Sequence, residues 1–385
     1  MAGHNGTVVV GGGQAGAEVV FALRAAGYDR PIILLCAEPH LPYERPPLSK
    51  GVLKGATDPA RLVIRAERAY AAKNIEVRLG VRAIGLDRRA RTVGTDSGDT
   101  VAFDSLVLAT GADALRPPWA EHDRVHTLRT LDDTQAVVPA AGDRVAVIGG
   151  SFLGLEVASS LAGLVDSVTV IESAARLLPG RVSEFTAQRI RRLHEERGVR
   201  FHLGTTVRRI TGTGAGPTIE LGDGTHLETD WAVLSIGAAP RDELARNCGL
   251  ATARGILVDP ACRTSDPDIY AIGDVAVSRA PGGRVLGIES VASALSQARA
   301  AAAAITGSVA PVPRPETFWS EQFGTQLRIA GLVDGPVTDT VSESADGGFV
   351  VRRVRDGALI AVETFGCPAD FALGLRELTS TTGGR

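Results

Sequence analysis

The residues best placed to do chemistry are two glycine clusters, each paired with an acid. Gly11-x-Gly13-x-x-Gly16 follows the apolar run TVVV (residues 7–10) and opens an amphipathic stretch ending near Gly27. In such a turn the first glycine permits the sharp bend and the second lets backbone approach a pyrophosphate. The third lets helix and strand pack closely. The helix start then offers free N–H groups and a positive dipole end to phosphates. Glu38 ends the next apolar run, PIILLCAE (31–38), where an acid can hold a ribose hydroxyl.

The second cluster is Gly149-Gly150-Ser151-Phe152-Leu153-Gly154, after RVAVI (144–148) and before SVTVIE (167–172). Ser151 stands where the middle glycine belongs; its side chain crowds the phosphate approach but can donate a hydrogen bond. Glu172 is placed to accept from a 2′-hydroxyl and repels a 2′-phosphate, which favours NADH over NADPH. Arg176, four residues on, weakens that preference because an arginine can hold a phosphate. A nucleophile elbow of the G-x-S-x-G type fails here, because Leu153 occupies the required second glycine.

Other chemistries are excluded by what is missing. Cys36, Cys248, Cys262 and Cys367 lie far apart, with none between residues 37 and 247, so no C-x-x-C pair, zinc cluster or local iron–sulfur ligand set forms. A net charge of −3 gives no basic field for nucleic acid. No apolar run approaches 18 residues, and the first strand begins almost at the N-terminus, so neither a membrane span nor a signal peptide is expected. Sparse cysteine then reads as a soluble, cytoplasmic protein. Of 41 Lys and Arg residues only Lys50, Lys54 and Lys73 are lysine, a ratio that GC-rich codon usage produces.

Each glycine cluster reads as strand, turn, helix, strand, and the continuous apolar strands suit parallel sheets covered on both faces. With 385 residues, two or three domains are expected. Short β-like runs fill residues 75–108 and 199–236, and IYAIGD (269–274) reads as a buried strand with a Gly-Asp turn. SVASALSQARAAAAAI (290–305) has strong helix propensity. Pro311, Pro313 and Pro315 mark a linker to a small domain with an alternating, antiparallel pattern. Two dinucleotide sites in one chain imply a two-cofactor electron carrier. The two turns do not by themselves say which cofactor each holds.

PYERPPLSK (42–50), LATGA (108–112), LRTLDD (128–133), VIGGSFLGLE (147–156), RTSDPDIYAIGDVA (263–276), IESVASALSQA (288–298) and FWSEQ (318–322) occur in one order. Together they resemble the FAD-dependent NAD(P)H:ferredoxin reductase family that serves cytochrome P450 and ring-hydroxylating dioxygenase systems, of the putidaredoxin reductase and biphenyl dioxygenase ferredoxin reductase type. The resemblance spans essentially the whole chain. It implies an α/β fold of two Rossmann-like domains plus a small α+β C-terminal domain, as in flavoprotein disulfide reductases. The FAD domain is expected at 1–112 and 241–310, the NAD domain at 113–240 and the C-terminal domain at 311–385.

The resemblance further implies FAD at the first turn and NADH at the second. It sets Ala15, Lys50, Val81, Arg129, Asp274 and Val291 against FAD. Arg45, Ala109, Thr110, Gly111 and Glu289 join them from the matched motifs, and Gly149, Ser151, Gly154, Glu156, Glu172 and Gly237 line the NADH side. The helix starting near Ser290 can aim its N-terminus at the flavin N1/O2 edge. Lys50 and Glu156 are the pair expected beside the flavin N5, since a buried lysine needs a partner. The alternative is a surface lysine and a solvated helix glutamate. Trp319 either borders the flavin face or is a core tryptophan. His40 and His194 read as loop and helix-surface histidines, and RIRRLHEERGVR (189–200) as a solvated helix face or a steering surface for an acidic ferredoxin. Gly287, Ser151, Glu316–Thr317 and Cys367 depart from the family pattern.

The expected activity is NADH reduction of FAD, with electrons passed singly to a [2Fe–2S] ferredoxin by a monomer. Rivals on the same scaffold are a rubredoxin reductase, an NADH oxidase and an apoptosis-inducing-factor-like dehydrogenase. A non-catalytic redox-sensing flavoprotein is a third class. A disulfide reductase is disfavoured, because it needs a reactive cysteine near the flavin.

Overall fold

The computed structural model describes residues 5–137, 139–212, 216–280 and 282–382. The chain forms two compact units: residues 1–44, 60–113 and 239–313, and residues 45–59, 114–238 and 314–385.

The first unit is built on a five-stranded parallel sheet, in the order Ile269–Ala271, Ser105–Leu108, Thr7–Val10, Ile32–Cys36, Ile75–Leu79. Thr7–Val10 is buried along its whole length, as an unbroken apolar strand must be when both faces are covered. One face carries the helices Gln14–Ala25 and Val291–Thr306. Ala294, Ala298, Ala301 and Ala302 of the second helix share a core with Val19, Val20 and Leu23 of the first, so small side chains let the two helices approach closely. A three-stranded antiparallel sheet, Ala83–Asp87, Thr92–Thr95 and Thr100–Ala102, accounts for most of the β-like runs before residue 103.

The second unit repeats the design. Its parallel sheet runs Arg200–Leu203, Ser167–Glu172, Arg144–Ile148, Trp231–Leu234, Val125–Thr127, with the glycine-bearing strand again central. The short segment 45–59 packs here, where Leu53 joins the core with Val147, Val157 and Leu161. Beyond the proline-rich stretch, residues 317–365 form a five-stranded antiparallel sheet, and the helix Pro368–Thr382 covers one face through Phe371, Leu375 and Leu378.

Glu363 of that sheet is fully buried and reaches the N-terminus of helix Glu184–Glu196. It accepts from the Ser183 N–H (2.8 Å), the Ser183 hydroxyl (2.7 Å), the Thr186 hydroxyl (2.5 Å) and Arg353 (3.2 Å). A carboxylate at a helix N-terminus is favoured by the dipole, and its removal strands three buried donors. Glu363→Ala is expected to destabilise the protein by about 3 kcal/mol. Urea unfolding measures this, and an unchanged midpoint would refute the assignment.

Candidate functional site

In the first unit, the turn after Thr7–Val10 is held by backbone alone. Gly11 N–H donates to the Leu35 carbonyl (2.8 Å) and Ala109 N–H to Val10 (2.8 Å). Gly11 sits at φ +121°, and a Cβ there would meet the Ala109 carbonyl oxygen at 2.1 Å. A Cβ on Gly16 would meet the Gly11 oxygen at 1.9 Å, so that glycine is required for helix-on-strand packing. Gly13 differs: no protein atom lies within 4 Å of a Cβ built there. Packing inside the protein therefore does not demand glycine at 13, whereas a pyrophosphate lying on the turn does. Gly13 is also the N-cap of helix Gln14–Ala25, with no side-chain cap, so the first N–H groups stay open to an anion. The cradle fits a dinucleotide.

Around it the same unit gathers the other predicted residues. Glu38 follows Ile32–Cys36 and accepts from the Tyr43 hydroxyl (2.5 Å), which fixes the carboxylate. Val81 N–H bonds the Cys36 carbonyl (2.8 Å). Thr110 donates its hydroxyl to the Arg241 carbonyl (2.7 Å), and Gly111 accepts from Arg241 N–H (2.9 Å). Asp274 lies in the turn Gly273–Val275, and Gly273 packs against the Ala15 side chain while its N–H donates to Gln297 (2.6 Å). Val291 opens its helix behind the N-cap Ser290, whose hydroxyl accepts from Ser293 N–H (3.0 Å), and exposed Glu289 precedes it.

The second unit reproduces the two close contacts. A Cβ on Gly149 (φ +108°) would meet the Ser235 oxygen at 2.2 Å, and one on Gly154 the Gly149 oxygen at 2.1 Å. Ser151 is resolved by the structure: its hydroxyl turns toward the helix as N-cap, accepting from Gly154 N–H (3.2 Å) and meeting the Ser235 hydroxyl at 2.5 Å. Glu172 is tied down by Gly150 N–H (2.8 Å) and Ala174 N–H (2.7 Å), which holds the acid against the glycine turn. Gly237, at φ +110°, accepts from Leu115 N–H (3.0 Å). Arg176 directs one guanidinium nitrogen at the Leu177 carbonyl (3.4 Å).

Lys50 and Glu156 meet in the interior of this unit. They are 8% and 7% exposed, with Lys50 Nζ 2.5 Å from Glu156 Oε2 and 2.9 Å from the Pro46 carbonyl. Neither the surface-lysine nor the solvated-glutamate alternative survives that burial. The Ser49 hydroxyl donates to Glu156 Oε2 (2.7 Å) and the Ser320 hydroxyl to Oε1 (2.7 Å), so every polar atom of the pair has a partner, as buried charge requires. The Trp319 ring lies 5.1 Å from Lys50 Nζ and is 39% exposed, which removes the core-tryptophan alternative. Arg45 donates to the Arg129 carbonyl, and Arg129 N–H bonds Asp133 (2.9 Å) in the capping box of the helix Leu131–Gln135.

One reading is corrected. His194 is not a helix-surface residue: it is 0% exposed, because Thr186, Ile190 and His194 recur every fourth residue on the buried face of helix Glu184–Glu196. The arginines of the 189–200 run do occupy the outer face, where Arg191 pairs with Glu195 (2.7 Å) and Arg189 with Glu343 (3.4 Å). Ser49, Ser320 and Gln322 went unnoticed in the sequence, although strand alternation in FWSEQ puts 320 and 322 on one face. All four cysteines are free thiols, and burial pushes Cys36, beside the first turn, up to about 12, so no reactive thiolate accompanies the cofactor sites.

Two equivalent dinucleotide turns, without a redox-active cysteine, define an oxidoreductase that moves electrons between two bound dinucleotides. Family models agree along the chain: residues 6–298 match the pyridine nucleotide-disulphide oxidoreductase model and residues 317–382 the reductase C-terminal model. The chain belongs to the pyridine nucleotide-disulphide oxidoreductase family, in the branch that carries this reductase C-terminal domain. It is 40% identical to a probable ferredoxin reductase of Castellaniella defragrans, over 97% of this chain and 93% of that protein. It is 38% identical to a terpredoxin reductase of a Pseudomonas species, over 97% and 92%. Among solved structures, the covalent putidaredoxin reductase–putidaredoxin complex matches with a TM-score of 0.93 at 33% identity, over 97% and 93% of the two chains.

Proposed function

We propose that this chain is an NADH-dependent FAD flavoprotein that takes a hydride from NADH and passes electrons singly to a [2Fe–2S] ferredoxin serving a cytochrome P450 or ring-hydroxylating dioxygenase. The observation that carries the reading is the pair of glycine turns in a chain whose thiol beside the first of them, Cys36, is buried and pushed up to about 12. Cys36 is no nucleophile for disulfide chemistry, so the electrons leave to an external carrier. Relatives at 34–40% identity named as ferredoxin reductases or reductase components, and the solved reductase–putidaredoxin complex, support that carrier's chemistry.

FAD is assigned to the turn Gly11–Gly16 and the domain 1–112 and 241–310, NADH to the turn Gly149–Gly154 and residues 113–240, and 311–385 to the C-terminal domain. When bound, the flavin supplies the conversion between two-electron and one-electron transfer. The chain's own residues do the rest. The open helix start at Gly13 neutralises pyrophosphate, and Glu38 and Asp274 accept from sugar or ribityl hydroxyls. Ala15, Arg45, Val81, Ala109, Thr110, Gly111, Arg129, Glu289, Val291 and Trp319 complete the flavin contacts. Glu172, fixed by two backbone N–H groups, accepts from a ribose hydroxyl and repels a 2′-phosphate, which sets the preference for NADH. Lys50 and Glu156 are the paired charges assigned to the hydride-transfer site. Among the described residues no helix is long and apolar enough to cross a membrane, and a cytoplasmic monomer is part of the same reading.

Anaerobic mixing tests it. The purified yellow protein is expected to bleach rapidly with NADH and slowly with NADPH, and then to reduce cytochrome c only when a [2Fe–2S] ferredoxin is added. Fast oxygen consumption without ferredoxin would make it an oxidase instead, and selective reduction of rubredoxin would reassign the acceptor. Absence of bleaching with both nicotinamides would overturn the reductase reading.

A further inference from the structure

Glu156 stands at the end of a buried line of hydrogen bonds. Ser320 Oγ lies 2.7 Å from its Oε1, Gln322 Nε2 lies 2.9 Å from Ser320 Oγ, and His194 Nε2 lies 3.0 Å from Gln322 Oε1. Ser320, Gln322 and His194 are all essentially inaccessible to solvent. Proton counting gives the line a direction. An ionised carboxylate accepts only, so the single proton of Ser320 goes to Glu156. Ser320 must then accept from the amide nitrogen of Gln322, which turns the amide oxygen toward His194. His194 therefore carries its proton on Nε2. Its Nδ1 is buried with no hydrogen-bond partner, and the imidazole packs edge-on to Phe201 and Phe323, with ring centroids 6.1 and 4.8 Å apart. A second proton on that ring would be stranded in an apolar pocket, and burial accordingly depresses its pKa to about 4.

We propose that Gln322 and His194 are positioning residues for Glu156: the neutral, Nε2-protonated imidazole locks the Gln322 amide in one orientation, which aims the Ser320 hydroxyl at Glu156 and keeps that carboxylate a fixed acceptor for Lys50. Reversing any member reverses the whole line, because each group has one proton to give in this direction and the last acceptor is the only anion. The inference rests on the assignment of Lys50 and Glu156 to hydride transfer. The other charged groups near the pair are Lys54, Arg197 and Glu321, which line the cleft beside Lys50, and Arg197 lies over the Phe323 ring at 5.1 Å.

Two measurements test it. Nitrogen-15 NMR of histidine-labelled holoenzyme is expected to show His194 neutral and protonated on Nε2 across about pH 5 to 8; an Nδ1-protonated or cationic ring would overturn the proposal. Anaerobic stopped-flow reduction by NADH is then followed against pH in wild type, Gln322→Met, Ser320→Ala and Glu156→Gln. Ser320→Ala removes a hydroxyl that donates to Glu156, and Gln322→Met removes the amide that fixes that hydroxyl's direction, so both should alter the pH profile of reduction, Ser320→Ala the more strongly. At pH 7 those two variants should be roughly three- to tenfold slower. Ser320→Ala deletes one atom and keeps the test open should Gln322→Met fold poorly. Wild-type profiles in both, with an altered profile in Glu156→Gln, would reduce the line to packing and overturn the proposal. A wild-type profile in Glu156→Gln would instead remove the role of the pair itself, and the proposal with it.

Discussion

Lys50→Ala is expected to slow NADH-dependent flavin reduction by about a hundredfold while leaving FAD bound. The ammonium it removes is held 2.5 Å from Glu156 and 2.9 Å from the Pro46 carbonyl in a nearly dry interior. Without it, Glu156 keeps the Ser49 and Ser320 hydroxyls but loses the one ion-pair partner it has among the described residues, and the field of the ammonium goes with it. FAD stays because the contacts assigned to hold its phosphates, at Gly11 to Gly16, belong to the first unit and are untouched. Deleting one member of a buried pair also costs stability, about 3 kcal/mol, because the other is left buried without its partner. The double variant Lys50→Met/Glu156→Leu separates the two effects: stability should return toward wild type and reduction should not, since apolar replacements can fill the volume but carry no charge. Lys50→Arg should not rescue, because a planar guanidinium cannot occupy the ammonium's place between Pro46, Ser49 and Glu156. Stopped-flow bleaching of the oxidised flavin reads the first effect and thermal unfolding the second. Wild-type reduction by Lys50→Ala would remove this residue from the chemistry.

The second large effect contrasts two glycines three residues apart. Gly16→Ala puts a methyl group 1.9 Å from the Gly11 carbonyl oxygen, a backbone atom that cannot rotate away. Helix Gln14–Ala25 must lift off the central strand, and more than about 3 kcal/mol of stability is expected to go with it. The protein should be insoluble or colourless. Gly13→Ala meets no protein atom within 4 Å and sits at φ −85°, which alanine adopts freely. The apoprotein should therefore unfold within about 1 kcal/mol of wild type, the ordinary difference at an N-cap. FAD affinity should nonetheless fall by about 100-fold, because the methyl group occupies the pyrophosphate's approach. Flavin content after purification and titration of apoprotein with FAD measure the loss. Equal FAD affinity in Gly13→Ala and wild type would show that the dinucleotide does not lie on this turn.

These two experiments probe features of different legibility. Both glycine turns could be read from the chain because each is a local device: the strand before it, the spacing of three glycines and the acid closing the next strand all lie within about 35 residues of one another, roughly one βαβ unit. The structure places both turns at the central strand of a five-stranded parallel sheet, as that pattern requires. Spacing gave Ser151 a side chain that crowds the phosphate approach but can donate a hydrogen bond, and the structure adds that its hydroxyl caps the helix behind it. Local spacing misled at one residue. His194 reads as one polar residue in an arginine-rich run, yet it falls on the same helical face as Ile190 and is covered by the 317–323 strand and turn.

By itself, the sequence determined the two dinucleotide units, the absence of a usable redox thiol, and the acids that end the second strand of each unit. All of these follow from period, turn chemistry and counting. Tertiary structure alone decided what surrounds the charged pair. Lys50 meets Glu156 across 106 positions, and Ser320 meets it across 164. No local propensity encodes such a meeting; it is imposed by the packing of the 45–59 segment and the C-terminal sheet against helix Phe152–Leu161. The pair, its two serines and the line back to His194 are buried together because charge removed from water must find every partner at once.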